Sequence, residues 1–439
     1  MDNQQIGHIF VKRVFMKDYK PRIADRLLAR KLAGKGAVLL EGAKWCGKTT
    51  TAEQIAGSIL YMSETGKVEQ NKLLARINPS QLLQGTKPRL IDEWQIAPIL
   101  WDSIRFEADH SEDLGLFILT GSAVPSDMSE VVHSGTGRIG WLKMRPMSLW
   151  ESGDSTGEVS LADLFGGVAI ISGHTEANLE RMAFLSCRGG WPLAVTMKDE
   201  IALDQAFDYV DAVEKRDISL ADGVKRDSER THRLLRSYAR HQGAQASYAT
   251  IREDMSTNEA DSIDVDTISS YVGALKKIFV IEDAEAWNPN LRSKTAIRTS
   301  DTRYFTDPSI ATAALGLGPG DLMNDLNTFG LIFETLCIRD LRVYSEALNG
   351  KVYHFRDKNG LECDAVVHLR NGSYGLVEVK MGGDKLIEDG AKTLKALAGK
   401  IDTQRMKQPS FLMVLVAVGN YAYRREDGVL VVPVSCLKD

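Results

Sequence analysis

The feature that most constrains the fold is a glycine-rich stretch at residues 42–50, GAKWCGKTT, which fits the pattern G-x-x-x-x-G-K-[ST]. It follows a short apolar run at 37–40 and precedes a segment of helical character. In a strand–loop–helix of this kind, backbone N–H groups converge on phosphate oxygens at the positive end of the helix dipole. The sequence therefore predicts an α/β domain with a phosphate-binding loop.

The residue types in this loop predict ATP and Mg²⁺ as cofactors. Lys48 is expected to reach the β- and γ-phosphates, and Thr49 to hold the metal ion. The residues predicted to bind the nucleotide are Gly42, Ala43, Lys44, Trp45, Cys46, Gly47, Lys48, Thr49 and Thr50. A chance match in a glycine-rich turn is the alternative, and the order of strand, loop and helix argues against it.

Two further apolar runs end in polar residues. The first ends at Asp92 and Glu93, where Asp92 is predicted to hold Mg²⁺ and Glu93 to polarise the attacking water. The second ends near Thr120, which either senses the γ-phosphate or caps a turn. Arg138 follows a glycine-containing loop and is a candidate arginine finger, in cis or from a neighbouring subunit, or else a solvated arginine.

Composition sets the limits for the rest of the chain. The 439 residues are too many for one core, so two to four domains are expected. The net charge of −5 gives no whole-molecule attraction to nucleic acid or membrane. No apolar stretch predicts a membrane span, and the first residues lack a signal-peptide pattern, so a cytoplasmic location is expected. The five scattered cysteines predict neither a zinc ribbon nor disulfides.

The middle of the chain reads as helical over 155–215, with an interruption at 188–192. Over 216–300, three helical stretches precede an apolar strand at 279–282, which is the layout of a winged helix. Its third helix would start with Asp266 as N-cap and would read DNA. Acidic and basic residues balance there, so DNA contact and a protein-contact spacer remain equal alternatives.

The last third carries a second chemical pattern. A strand with Asp364 is followed by a strand with Glu378 and Lys380, which period-2 geometry places on one face. Asp364 and Glu378 would bind Mg²⁺, Lys380 would orient or activate water, and Glu334 on a preceding helix could add an acid. Charged residues on the solvent face of an antiparallel sheet are the alternative, but the flanking residues are apolar.

Together these motifs resemble the bacterial and archaeal AAA-type ATPases that carry a C-terminal DUF4143 domain. The resemblance rests on the loop and on YKPRI at 19–23, IDEWQ at 91–95, LTGS at 119–122, GR at 137–138 and PMSLWE at 146–151. Many relatives have Pro-Arg-Gln after the first glycine, where this chain has Ala43-Lys44-Trp45. The glycines and Lys48 are kept, so the expectation of ATP binding stands.

The resemblance implies four domains. These are an AAA-type P-loop ATPase domain at 1–154, a helical lid at 155–215, a winged-helix-like domain at 216–300, and a DUF4143 domain at 301–439. The last would have the PD-(D/E)xK restriction-endonuclease-like α/β fold, with Asp364, Glu378 and Lys380 at the motif positions and Glu334 matching less specifically.

Two functions follow as hypotheses. In the first, ATP turnover drives action on nucleic acid, most simply DNA, including Mg²⁺-dependent phosphodiester cleavage. In the second, the nucleotide operates a switch and the nuclease-like part is a binding or assembly module without catalysis. A homo-oligomer and a protein partner are compatible with both, whereas a membrane partner is not expected.

Overall fold

The structure is a computed structural model that describes residues 19–123, 134–168, 170–256, 263–288 and 300–439. Its α-helices are α1 Ile23–Leu32, α2 Lys48–Ile55, α3 Val68–Ile77, α4 Pro79–Leu83, α5 Leu100–His110, α6 Leu149–Ser152, α7 Leu161–Phe165, α8 Leu179–Arg188, α9 Pro192–Thr196, α10 Asp199–Ala212, α11 Ile218–Leu220, α12 Ser228–Arg240, α13 Tyr248–Met255, α14 Val265–Lys277, α15 Pro308–Leu315, α16 Pro319–Asn324, α17 Leu326–Ala347 and α18 Asp384–Lys400.

The strands form two large sheets and one short pair. They are β1 Ala37–Glu41, β2 Ser58–Tyr61, β3 Arg89–Asp92, β4 Phe117–Gly121, β5 Ile139–Lys143, β6 Val159–Ser160, β7 Gly173–His174, β8 Gly350–Arg356, β9 Glu362–Leu369, β10 Tyr374–Lys380, β11 Phe411–Val416, β12 Tyr421–Arg424, β13 Leu430–Pro433 and β14 Leu437–Lys438. Every described helix is too short or too polar to cross a membrane. All five cysteines are buried and free.

The N-terminal sheet has the strand order β2-β3-β4-β1-β5, and all of its paired strands are parallel. β1 and β4 consist of almost fully buried apolar residues, as expected of parallel strands covered on both faces. One face packs against α1 and α2, and the other packs against α5. Because all strands point the same way, the loops after β1, β3 and β4 meet at one edge of the sheet.

The middle of the chain is mostly helical. α12, α13 and α14 are followed by two isolated antiparallel bridges, Ile281 with Phe305 and Ala284 with Thr302. The N-cap of α14 is Asp264 rather than the expected Asp266, because the Asp264 carboxylate accepts the Thr267 N–H at 2.6 Å. Asp266 therefore lies in the first turn of that helix, where an acid also complements the helix dipole.

The segment 155–177 differs from its helical expectation. In its described part it contains α7, and its strands β6 and β7 pair with the C-terminal strands β14 and β12. The helices expected after it are present as α8, α9 and α10, with the interruption at Gly189–Trp191 separating α8 from α9. This stretch of the chain thus joins the C-terminal sheet before it returns to the N-terminal domain.

The C-terminal sheet has the order β7-β12-β13-β11-β10-β9-β8. β8, β9 and β10 are antiparallel neighbours, and α18 crosses over so that β11 pairs with β10 in parallel. The pairing of β8 with β9 changes register between Tyr353 and Phe355, which marks a β-bulge in β9 within residues 363–366. The long helix α17 precedes this sheet and packs on β8 and β9.

Candidate functional site

The glycines of the P-loop are required by its backbone. Gly42 has φ +154°, and a Cβ atom there would lie 2.0 Å from the carbonyl oxygen of Met144. Gly47 has φ +98° and is the N-cap of α2, so it turns the chain into the helix in a conformation that other residues rarely adopt. These two glycines allow the loop to fold back over the N-terminus of α2. The sequence predicts that the phosphates bind at this helix end.

Lys48 opens α2 and is buried, with 6% of its surface exposed. Its ammonium group donates to the carbonyl oxygens of Gly42 at 2.9 Å and Ala43 at 2.7 Å. The lysine is therefore held inside the loop that it is predicted to serve. Lys44, in contrast, directs its ammonium group away to Asp217, at 2.6 Å, so Lys44 contributes to the loop through its backbone.

The predicted metal-binding residues meet at the carboxyl edge of the sheet. The hydroxyl of Thr49 donates to Oδ1 of Asp92 at 2.6 Å. Thr120, which pairs with Asp92 across β3 and β4, donates to the same oxygen at 2.6 Å. Thr49 and Asp92 fit an Mg²⁺ ion because they offer a hydroxyl and a carboxylate beside the phosphate loop. Thr120 orients Asp92 and does not line the cavity.

Glu93 follows β3 in a left-handed conformation with φ +55°, which is unusual for a residue with a side chain. Burial, and next the Asp92 carboxylate, raise the pKa of Glu93, while Lys48 opposes the shift. The Gln95 amide and, at 3.4 Å, the Ser122 hydroxyl donate to the Glu93 carboxylate. Glu93 and Ser122 both line the cavity, so Ser122 is the better placed of the β4 residues to sense a γ-phosphate.

A cavity of about 800 Å³ lies over the P-loop, a size suited to a nucleotide. Its apolar wall comes from Trp45 on one side and from Trp191, Pro192 and Leu193 around the start of α9 on the other. Trp45 is half exposed and packs edge-on against Tyr209. Sequence reasoning noted 188–192 only as an interruption between helices and missed its place in the nucleotide pocket. The adjacent tryptophan and proline, an apolar pair in a glycine turn, were the available signal.

Arg138 lies at the opposite edge of the same sheet. Its carbonyl oxygen accepts the N–H of Ala37 at the start of β1, whereas the P-loop follows the end of β1. Its guanidinium group pairs with Asp109 at 2.6 Å and is half exposed. The structure therefore does not bring Arg138 to the nucleotide pocket of its own chain, and an action on a neighbouring subunit stays a prediction.

Replacing Lys48 with Ala should weaken ATP binding at least tenfold, since a charge-assisted hydrogen bond to phosphate contributes roughly 1.5–3 kcal/mol. Lys44→Ala is the matched control, because this lysine lies in the same loop but its ammonium group pairs with Asp217. Titration calorimetry with a slowly hydrolysed ATP analogue measures both affinities. An unchanged affinity in Lys48→Ala would contradict the assignment of the loop.

The structure also brings together the four residues predicted for the C-terminal site. Lys380 donates to Oε2 of Glu378 at 2.6 Å and lies 3.5 Å from Oδ2 of Asp364. The same Asp364 oxygen accepts the backbone N–H of Val379 at 2.7 Å. The antiparallel register of β9 with β10 pairs Ala365 with Val377, so the next position along β9 places Asp364 beside Glu378.

Glu334 approaches the cluster from α17. Burial, and next the Asp364 carboxylate, raise the pKa of Glu334 well above its usual range. The hydroxyl of Tyr304 donates to the Glu334 carboxylate, and a Cβ atom on Gly243 would meet this carboxylate at 2.9 Å. Sequence reasoning missed Tyr304 and Gly243, which come from distant parts of the chain.

The cluster contains three carboxyl groups and one lysine. Burial and the Asp364 carboxylate raise the pKa of Glu378 to about 8, although Lys380 lowers it. Carboxylates held in this way favour a cation beside them, and oxygen donors suit Mg²⁺. Nevertheless, no group of three or more His, Cys, Asp or Glu residues in the described ranges is arranged to hold a metal ion. Asp364 and Glu378 offer two carboxylates, so an Mg²⁺ ion held there would have two protein ligands and would complete its shell with water or substrate oxygens.

Three family models match: an AAA domain over residues 34–152, the domain of unknown function DUF8612 over 179–321, and DUF4143 over 329–437. DUF8612 thus extends across most of the segments predicted as helical lid and winged helix. No curated protein matches the chain.

Among solved structures, the Walker-type ATPase PABY2304 of Pyrococcus abyssi is similar to this chain at 15% identity and a TM-score of 0.43. The match covers 68% of this chain and 96% of that one. Similarity at this level does not establish a relationship. The assignment of the chain therefore rests on the three family models and on the geometry of the P-loop. The chain is therefore a P-loop ATPase of the AAA type that carries a DUF8612 domain and a C-terminal DUF4143 domain.

Proposed function

We propose that this protein couples ATP turnover at the P-loop to action on nucleic acid at the C-terminal cluster of Glu334, Asp364, Glu378 and Lys380. The observation that carries the proposal is the convergence of an acid from a bulged strand with the acid and lysine of the next strand. Lys380 is half-buried between two carboxylates, and this arrangement costs desolvation free energy that a packed apolar residue would not. The helix–three strands–helix–strand order from α17 to β11 supports a restriction-endonuclease-like fold.

In the nucleotide pocket, the backbone of the P-loop and Lys48 would bind the phosphates, and Thr49 and Asp92 would hold Mg²⁺. The metal ion supplies charge neutralisation on the phosphates when bound. Glu93 lies at the cavity with a raised pKa, which suits a base that takes a proton from water near neutral pH. The Ser122 hydroxyl donates to the Glu93 carboxylate, so a contact between Ser122 and the γ-phosphate would change the hydrogen bonding of Glu93.

At the C-terminal cluster, Asp364 and Glu378 would hold Mg²⁺, which supplies a Lewis acid for a phosphodiester. Lys380 has three donors and a pKa that the two carboxylates raise, so it stays a cation that can orient water or stabilise negative charge on a phosphate. The Tyr304 hydroxyl fixes the position of Glu334, whose carboxyl group lies within electrostatic range of Asp364. The three helices α12–α14 and the paired segments after them support a winged helix as the nucleic-acid reader.

Helix α17 connects the two sites. Glu334 lies in its first half, while farther along Asp340 accepts the backbone N–H of Leu149 at 3.0 Å, in the P-loop domain. Arg339 on the same helix pairs with Asp340 and with Asp307. Asp307 in turn accepts the N–H of Gly190, next to the nucleotide-pocket residue Trp191. A shift of the pocket wall on nucleotide binding would thus reach α17 through buried polar contacts.

The test is cleavage of DNA by the purified protein with Mg²⁺ and ATP. We expect Asp364→Ala to reduce the cleavage rate by roughly 10²-fold or more, because it removes a metal ligand and leaves Lys380 with one partner. Asp384→Ala, an exposed acid at the start of α18, is the matched control and should cleave at the parent rate. Equal DNA-cleavage rates in Asp364→Ala and Asp384→Ala would mean that any cleavage takes place at a site that does not use Asp364.

A second candidate is a nucleotide-driven switch whose C-terminal domain binds or assembles without catalysis. It is favoured by the Lys380 ammonium group between the carboxylates and by the lack of a three-ligand metal group in the described ranges. ATP hydrolysis with and without added DNA separates the two proposals. Stimulation by DNA supports the nucleic-acid enzyme, whereas indifference to DNA points to a protein partner or to a homo-oligomer in which Arg138 acts across subunits.

A further inference from the structure

A second cavity, of about 730 Å³, lies between the P-loop domain and the C-terminal domain. Its walls come from α1 and β5 on one side, and from the end of α17 with β8 and β9 on the other. It shares no lining residue with the nucleotide pocket, and none of the four residues of the acid cluster lines it. It is therefore a separate concave site, of the size that small ligands occupy.

The charge of this cavity is opposite to that of the whole protein. Its described lining contains eight basic side chains against three acidic ones, on a chain whose net charge is −5. The basic residues are Arg30, Lys31, Lys35, Lys143, Arg145, Arg342, Lys351 and Arg370, and the acidic residues are Glu282, Asp283 and Glu346. A cleft lined by one sign of charge concentrates ligands of the other sign.

The acids neutralise only one side of the cavity. Arg145 pairs with Glu282 at 2.8 Å and with Glu346 at 2.6 Å, and Lys143 lies 3.4 Å from Glu282. Arg30, Lys31 and Arg370, by contrast, form no ion pair with any residue of the described ranges. Burial lowers the pKa of Lys31, Glu346 opposes this shift, and the nearby cations Arg370, Arg30 and Lys35 lower the pKa further.

Arg342 is the most informative residue of the lining. Only 6% of its surface is exposed, and its guanidinium group forms no hydrogen bond or ion pair with any described residue. It lies 5.6 Å from the ring centre of Tyr304, which partly compensates the charge. Burial lowers the pKa of Arg342, and Glu282 opposes the shift. Its unpaired donors face the cavity, where a ligand with acceptor oxygens could take the place of water.

We propose that this interdomain cavity binds phosphate groups of a polyanionic ligand, with Arg342 at its base and Lys31 and Arg370 at its rim. A guanidinium group presents paired donors that match phosphate oxygens, and the rim cations add charge attraction. The same chemistry serves a free polyphosphate or nucleotide and the backbone of a nucleic-acid strand. The proposal does not depend on ATP hydrolysis or on cleavage, so it can stand or fall separately from them.

The experiment measures binding of inorganic tripolyphosphate to the full chain carrying Lys48→Ala, which disables the P-loop as a competing phosphate site. We expect saturable binding that weakens by at least about tenfold when Lys31→Gln and Arg370→Gln are added, as expected for the loss of charge-assisted phosphate contacts. Lys358→Gln with Arg405→Gln, which removes one lysine and one arginine from exposed positions outside the cavity, is the matched control. That control should bind within about twofold of its parent.

Absence of saturable binding, or equal weakening by the two double variants, would overturn the proposal. Arg342→Gln should weaken binding in the same way if it unfolds at the parent temperature, and the rim variant keeps the test valid if it does not. A 5′-phosphorylated single-stranded oligonucleotide distinguishes the two sources of phosphate. Tighter binding than tripolyphosphate with a steep salt dependence indicates a nucleic-acid strand, whereas weaker binding indicates a free polyphosphate.

Discussion

Replacing Glu93 with Gln should slow ATP hydrolysis by about 10²- to 10⁴-fold while ATP still binds, because a positioned general base contributes about this much to a rate. The substitution keeps the size of the side chain and its contacts with Gln95 and Ser122, but removes the group that accepts a proton from water. Lys48, Thr49 and Asp92 remain in place to bind the nucleotide. Steady-state phosphate release together with calorimetric ATP binding measures the two effects separately.

The pH dependence gives this prediction a second readout. Since burial and Asp92 raise the pKa of Glu93, hydrolysis by the parent protein should fall as the pH decreases through that raised value. The Glu93→Gln protein should lack this decline. Glu107→Gln is the matched control, because burial also raises the pKa of this acid but it lies on α5 outside the nucleotide cavity. If Glu93→Gln hydrolyses ATP at the rate of the parent protein, another residue must act as the general base.

The P-loop could be predicted from the sequence because its requirements are local. The glycines, Lys48 and Thr49 follow each other along the chain, and the strand and helix around them are continuous. Asp92 could be placed because parallel strands end at one edge of their sheet. Thr120 and Ser122 could not be told apart in this way, because which of them faces the cavity depends on the twist and end of β4, and Trp191 reaches the pocket only through the tertiary fold.

The C-terminal site was predictable in part for the same reason. Glu378 and Lys380 share a strand, so period-2 geometry fixes their common face. The meeting of Asp364 with these two residues depends on the register of β9 against β10, which a single sequence does not fix. Tyr304 and Gly243 support Glu334 from segments that no spacing rule connects to it. The double role of α17, with Glu334 near one site and Asp340 in contact with the P-loop domain, likewise required the three-dimensional structure.

The contacts of α17 identify Arg339 as a residue whose loss should strongly destabilise the chain. Its side chain is 1% exposed and pairs with Asp307 at 3.0 Å and Asp340 at 2.7 Å, both of which are fully buried. Arg339→Met keeps much of the volume but leaves two carboxylates without their cation. Removing one partner from a buried ion pair costs roughly 3–5 kcal/mol. Arg405→Met is the matched control, because this exposed arginine pairs with Asp402 and should cost less than about 1 kcal/mol.

The destabilisation by Arg339→Met should depend on pH in a defined direction. Burial raises the pKa of Asp340, and Arg339 limits that rise, so the variant should raise the pKa further. An acid with a raised folded-state pKa favours folding below its unfolded pKa, and this contribution is lost as the pH rises through the folded value. The difference in unfolding temperature between parent and variant should therefore grow as the pH rises above the ordinary pKa of an aspartate toward the raised value of Asp340. A constant difference would mean that Arg339 stabilises the fold by packing rather than by its charge, and that the path from Trp191 to α17 is not electrostatic.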